Sequence, residues 1–331
     1  MNKDFEHIVI GGLQRSGTSL IRAILGSHPE ISIYQWDLGL WTKFSIIYRD
    51  KKLSTTAQKR LIQEVINHPK QKASVINFHE SDFSSILKSK YLTKEFFYIF
   101  YTEFLRLYLK KSKGSYVGLK TPENEFYSPI IFRKFPKTKF IHIIRNPLDV
   151  AVSLKKIKHD SWGGSVNYFS HIWKWKKSAN LLIENSKLFP QNYYTIKYED
   201  LIINPKDVVT DICRFLNINF QKEMLDMNNH PGWEGNNSSY KKNNIKSLNT
   251  ESINRYKDVL PEHIQNIYFY FLNEQLKNLG YSTQKVTISF HKIFQYKVNS
   301  VIENMKIKLL SYTMRSILYK PLKLISKLFK N

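Results

Sequence analysis

Residues 8–25, IVIGGLQRSGTSLIRAIL, constrain the fold more tightly than any other part of the chain. The apolar run at 7–11 reads as a short buried strand, and Ser19 to about Ser27 reads as a helix ended by His28-Pro29. Between them, a glycine turn aims several backbone N–H groups at one point, where the dipole of the following helix adds positive potential. Gly11, Gly12 and Gly17 allow close approach to the backbone, while Arg15, Thr18 and Ser19 add donors. This is the design of an anion site. Its spacing fits the phosphate-binding loop GxxxxGK[ST], but the lysine after the second glycine is missing and Arg15 sits inside the loop.

Other segments repeat the alternation of strand and helix. Residues 116–122, YVGLKTP, form a predicted strand stopped by Pro122, and 139–147, KFIHIIRNP, a buried one. YYTIKYEDL, at 193–201, reads as a third. Helical spacing marks 54–67, 93–111, 166–188 and 205–217. The helix after the second of these strands is expected to start at Asn146-Pro147, since Asn caps well and Pro suits the first helical turn. The pattern predicts an α/β, P-loop-like three-layer fold with a mostly parallel central sheet flanked by helices. Residues 1–282 are expected to form one domain, with a long polar loop at 228–250. Residues 283–331 differ in character. Apolar positions recur there at helical intervals, and many Lys and Arg face one acid, Glu303. A basic amphipathic helical extension of this kind packs on its own core or a partner helix, or lies on an anionic membrane.

The ligand of the glycine loop follows from what is missing. A magnesium–nucleotide site needs the loop lysine and a carboxylate at the end of a buried strand. Here the strand FIHII ends in Arg145. Both departures replace metal with fixed cations, so the expected ligand is an anion gripped without metal.

These residues complete a recognisable pattern. GGLQRSGTSLIRAIL resembles the 5′-phosphosulfate loop of sulfotransferases that use 3′-phosphoadenosine-5′-phosphosulfate (PAPS), and IIRNPLDVAVSL resembles their 3′-phosphate motif. In that motif an arginine and a serine eight residues later grip the ribose phosphate, and Arg145 and Ser153 fit the spacing. The resemblance covers roughly residues 7–281 and is strongest to the branch containing tyrosylprotein sulfotransferases and bacterial relatives, through SGTSLIRAILGSHPEI and YEDLIINPKDVVTDICRFLNI. It implies that Gly12, Arg15, Ser16, Gly17, Thr18 and Ser19 hold the 5′ end of the donor, with Tyr198 against it. It also implies that Arg255, in INRYKDVL, touches a phosphate and that the loop around Ser239 closes over the nucleotide. Arg15 and Lys120 are the implied cations for the charge that grows as a sulfuryl group moves to an acceptor hydroxyl. The relatives carry a glutamate base in a segment matching SIYQWDLGLW, where a shift of one residue makes Asp37 the base. Glu123 and Glu125 are reserve candidates, and no metal is implied. His142 reads as a core histidine, and Glu199 and Asp200 as capping groups.

Composition bounds the remaining questions. Lys and Arg number 51 against 27 Asp and Glu, a net charge of +24 that favours polyanions. A P-loop kinase of small molecules and an RNA- or polyanion-binding protein are therefore the alternatives. The first lacks its magnesium carboxylate, and the second lacks a nucleic-acid motif, so no specific nucleic-acid partner is expected. The single cysteine, Cys213, reads as a buried thiol. The chain enters a strand at once, without a signal segment, so a cytoplasmic location with candidate membrane association through the extension is expected. That location favours a saccharide or glycolipid acceptor over a protein tyrosine, and Trp36, Trp41 and Trp162 either stack on sugar rings or pack in the core. A second copy of the chain is a further candidate partner.

Overall fold

The computed structural model describes residues 7–72, 74, 76–88, 93–112, 114–157, 167–226, 248, 250–289, 291, 293 and 298. Most of the loop read at 228–250, including Ser239, lies outside these residues. So do Trp162 and most of the C-terminal extension.

Five strands make the sheet: β1 (His7–Gly11), β2 (Ile31–Ile33), β3 (Tyr116–Lys120), β4 (Lys139–Ile144) and β5 (Tyr193–Lys197). Their order is β2-β3-β1-β4-β5, and every pairing is parallel, as the alternation of elements predicted. A parallel sheet is covered on both faces, so its strands are apolar on both sides. Ile8, Ile10, Ile141, Ile143 and Ile196 point one way, against α1 (Thr18–Gly26) and α8 (Pro205–Phe215). Val9, Val117, Leu119 and Phe140 point the other way, into an aromatic cluster with α2 (Thr55–Ile66), α3 (Phe96–Ser112) and α4 (Ser128–Lys134). A third cluster joins α5 (Pro147–Ile157), α6 (Tyr168–Leu188) and α9 (Glu262–Asn278). The result is a three-layer α/β fold with β1 in the middle.

The expected boundary at Asn146-Pro147 is present: α5 begins at Pro147, and Asn146 Oδ1 accepts the Leu148 N–H at 3.0 Å. The third strand is shorter than its sequence suggests. It stops at Lys197, and Tyr198–Ile203 form helix α7. Glu199 and Asp200 lie in the first turn of that helix, where carboxylates complement the exposed N–H groups. The three-residue edge strand β2 went unread, being too brief to show a period.

A buried imidazole on α6 shapes acid stability. His171 Nδ1 lies 2.7 Å from the Tyr268 hydroxyl, and burial pushes its pKa down to about 3. Unfolded, it titrates near 6.5, so this residue's contribution is intact above that value and is lost as pH falls toward 3. His171→Gln is therefore expected to show a flatter acid limb in urea unfolding. Its stability relative to wild type should improve by up to about 1.4 kcal/mol per pH unit across that window. Parallel pH dependences in the two proteins would contradict this.

Candidate functional site

The carboxyl ends of β1, β3 and β4 meet at one place, because β1 is central and its neighbours leave it in opposite directions. Open parallel sheets bind ligands at such a point. The glycine loop leaves β1 there and runs straight into α1. Gly12 has φ +141°, and a Cβ there would overlap the Ile143 carbonyl oxygen. Gly17, at φ +100°, precedes the first residue of α1, and a Cβ on it would lie 2.6 Å from Tyr198 Cδ2. Both positions need glycine. Arg15 is also left-handed, at φ +74°, a conformation that costs energy in a residue with a Cβ and that the surroundings hold in place.

Arg15 is where the two motifs meet. Its Nε donates to Ser153 Oγ at 2.9 Å, and its carbonyl accepts from Arg145 Nη1 at 3.2 Å. Arg145 leaves the end of β4 with its own backbone held on both sides. Trp175 Nε1 donates to its carbonyl at 2.9 Å, and the next N–H, of Asn146, donates to Glu199 at 2.8 Å. The Arg145 guanidinium lies 4.3 Å from the centre of the Tyr198 ring, and its Nη2 donates to the Ser252 carbonyl at 2.6 Å. The Tyr198 hydroxyl is 2.9 Å from Ser252 Oγ. Asp149 accepts the N–H groups of Asn254 and Tyr256 at 2.8 and 3.0 Å, which fixes the segment carrying Arg255 against α5. Arg15, Gly17, Arg145, Ser153, Tyr198 and the segment of Arg255 thus converge.

A second group lies at the end of β3. Lys120 is 4% exposed, and its Nζ is 2.5 Å from Asp37 Oδ1 and 3.1 Å from Ser19 Oγ. Burial lowers the lysine's pKa, and Asp37 opposes that shift. Arg22, one turn along α1 from Ser19, is buried on the same side and within electrostatic reach of Asp37. Sequence reading missed Arg22. Its signal is an arginine between Ile21 and Ala23, on the apolar face of a core helix.

The reserve carboxylates are engaged elsewhere. Glu123 pairs with Lys174 at 2.6 Å, and Glu125 is fully buried with Oε2 2.7 Å from the Gly12 nitrogen. His142 is buried in the core, as read. Trp41 takes the core alternative: it is 0% exposed and packs edge-on against Phe97 and Tyr101, so no sugar can stack on it. Trp36, beside Asp37, is only half-buried, and its Nε1 has no partner among the described residues.

Known proteins resemble this chain in sequence and in fold. A protein of unassigned function from Aquifex aeolicus is 26% identical over 232 residues, 66% of this chain, although the chain spans only 26% of that longer protein. A putative protein-tyrosine sulfotransferase from Caenorhabditis briggsae is 23% identical over 79% of this chain and 85% of its own. The fold matches the sulfotransferase domain of the Synechococcus PCC 7002 olefin synthase with a TM-score of 0.56 and 18% identity, covering 86% of this chain and 98% of that one. The family model described as "Sulfotransferase family" matches residues 7–222, which take in the glycine loop, Lys120, Arg145 and Ser153. The chain belongs to the sulfotransferase family.

Proposed function

We propose that this enzyme moves the sulfuryl group of PAPS to an acceptor hydroxyl by in-line attack. The observation that carries the reading is the bond between Arg15 Nε and Ser153 Oγ, with Arg145 bonded to the Arg15 carbonyl, because it joins two anion motifs into one cradle. The residues present fit such a nucleotide. Ser16 Oγ and Arg145 Nε are buried without partners among the described residues, two donors suited to phosphate oxygens. Glycine at 12 and 17 keeps the loop's inner wall free of side chains. When bound, PAPS supplies a sulfuryl group attached to a phosphate leaving group.

The roles follow from position. The loop from Gly12 to Ser19 holds the 5′ end, and Tyr198 closes it beside Gly17. Arg145 and Ser153 hold the 3′-phosphate, and Arg255 adds charge from the segment pinned by Asp149; Ser239 belongs to the loop outside the described residues. Arg15 and Lys120 stabilise charge on the moving group and the bridging oxygen. Asp37, held by Lys120, takes the acceptor's proton. Residues 1–282 form the catalytic domain in this reading, and 283–331 an extension that supplies any peripheral membrane contact. Among the described residues, no helix is long and apolar enough to cross a membrane.

A saccharide or glycolipid acceptor is favoured by Trp36, a half-buried indole beside Asp37 with an unpaired N–H. The name of the C. briggsae relative favours a protein tyrosine instead. Incubation with sulfur-labelled PAPS and a panel of saccharides, glycolipids and tyrosine peptides decides between them. Magnesium-dependent ATP turnover without labelled product would overturn the assignment. Arg145→Ala should raise the KM for PAPS about 10- to 100-fold, as the loss of charge-assisted bonds predicts, with a smaller effect on kcat. An unchanged KM would remove Arg145 from the donor site.

A further inference from the structure

Beneath the glycine loop lies a carboxylate for which the reaction has no use. The turn after β3 docks against the loop's underside: Glu123 N donates to the Gly12 carbonyl at 3.0 Å, and Asn124 Nδ2 donates to the Ile10 carbonyl at 3.1 Å. This seats Glu125, fully buried, with Oε2 accepting the Gly12 N–H at 2.7 Å and Oε1 within 2.9 Å of Ser178 Oγ. Behind Ser178 the contacts continue. Its Oγ is 3.0 Å from His142 Nε2, and His142 Nδ1 is 2.6 Å from the Tyr193 hydroxyl. An anion site is thus built directly above a buried acid.

From Glu125 to His142 the chain of contacts has two hydrogen-bonding patterns. With Glu125 ionised, Tyr193 O–H donates to His142 Nδ1, His142 Nε2–H to Ser178 Oγ, and Ser178 O–H to the carboxylate. With Glu125 protonated, every bond reverses: the carboxyl O–H donates to Ser178, Ser178 donates to His142 Nε2, and His142 Nδ1–H donates to Tyr193. The Gly12 N–H keeps its acceptor in both, and Glu125, Ser178 and His142 each keep their partners. Among the described residues, the groups facing Glu125 are its own backbone N–H, the Gly12 N–H from the loop, Ser178 from α6, and His142 and Tyr193 beyond it from β4 and β5. Glu123 is the charged neighbour from its own turn. None of them is a cation. Burial holds the carboxyl near neutrality, at about 7, and keeps His142 neutral, with a pKa of about 3.

We propose that Glu125 is a positioning residue for the anion loop, and that it takes up a proton when a nucleotide anion occupies that loop. The proposal rests on the donor reading above. The ionised carboxylate fixes Gly12 but repels the phosphates beyond it, whereas the neutral acid fixes Gly12 without repulsion. The proton comes from bulk water and returns to it on release.

The test is calorimetric titration of the full chain with adenosine 3′,5′-bisphosphate from pH 6 to 8.5, in buffers of different ionisation heat. The ligand's own phosphates titrate near pH 6 in every protein, so the comparison with Glu125→Gln isolates the effect. That substitution mimics the neutral acid, keeping an acceptor for Gly12 and a donor for Ser178. Wild type should lose about tenfold in affinity relative to E125Q across this range, a loss of the size expected for one charge at loop distance. It should also absorb protons on binding that E125Q does not. Glu125→Ala, which lacks the acceptor, should bind more weakly at every pH. Identical pH profiles and proton counts for wild type and E125Q would overturn the proposal. Failure of wild type to bind the bisphosphate at all would overturn the donor reading as well, and is distinguishable on that account. Should E125Q not fold, Ser178→Ala replaces it: losing a bond to the ionised form must move the wild-type midpoint upward, and an unmoved midpoint refutes the coupling.

Discussion

Arg15→Ala is expected to lower kcat/KM for sulfuryl transfer by at least about 10³-fold, the range found when a fixed cation or oxyanion donor is removed from a group-transfer site. The size of the effect follows from how many things this one side chain joins. Its backbone is left-handed within the loop, its carbonyl accepts from Arg145, and its guanidinium bonds Ser153 on the helix after β4. Removing it takes a positive charge from the mouth of the cradle and breaks the bond between the two motifs. Arg15→Lys restores charge without the planar fork, and is expected to recover only a small part of the loss. Binding of adenosine 3′,5′-bisphosphate by Arg15→Ala should fall far less than turnover, because the loop amides, Ser16 and Arg145 remain. An Arg15→Ala enzyme with wild-type turnover would refute the assignment. Equal losses in binding and turnover would make Arg15 a ground-state contact only.

The loop was legible because its signals are local. A strand, two glycines at a fixed spacing and a helix start are all written within residues 7–27, and Asn146-Pro147 marks the second junction as plainly. That these two junctions face each other depends on strand order, which places β4 beside β1 and lies in no single segment. The shortened third strand shows the limit of periodicity: Tyr198 continues the apolar pattern, but the acids after it favour a helix start. Trp41 shows another limit, since only the tertiary packing of α3 decides whether an aromatic side chain is available to a ligand. Arg22 escaped, and Glu125 was named only as a reserve base, for one shared reason. Their positions under a helix face and a loop are long-range contacts, and a charged residue in sequence looks solvated until its surroundings are known.

Asp37→Asn is expected to reduce kcat by about 10²- to 10⁴-fold, the contribution of a positioned general base, while leaving the affinity for the donor nearly unchanged. The Lys120 ion pair complicates this result in an instructive way. Nζ lies 2.5 Å from Asp37 Oδ1 in a buried position, and burial already lowers the lysine's pKa. Asparagine removes the carboxylate that opposes that shift, so Lys120 in the mutant should lose its proton more readily. A slow Asp37→Asn enzyme could therefore reflect a missing base or a discharged cation. The pH dependence separates the two with opposite signs. Loss through Lys120 is recovered as pH falls, because acid restores the ammonium. Loss of the base is recovered as pH rises, because the acceptor hydroxyl ionises without help. Lys120→Met supplies the complementary measurement: it removes the cation at every pH, so its deficit should not recover in acid. In the double mutant, a further large drop beyond Lys120→Met means that Asp37 acts on the acceptor directly. If the double mutant matches Lys120→Met, and acid rescues Asp37→Asn, then Asp37 serves only to keep Lys120 charged, and the proton must leave the acceptor by another route.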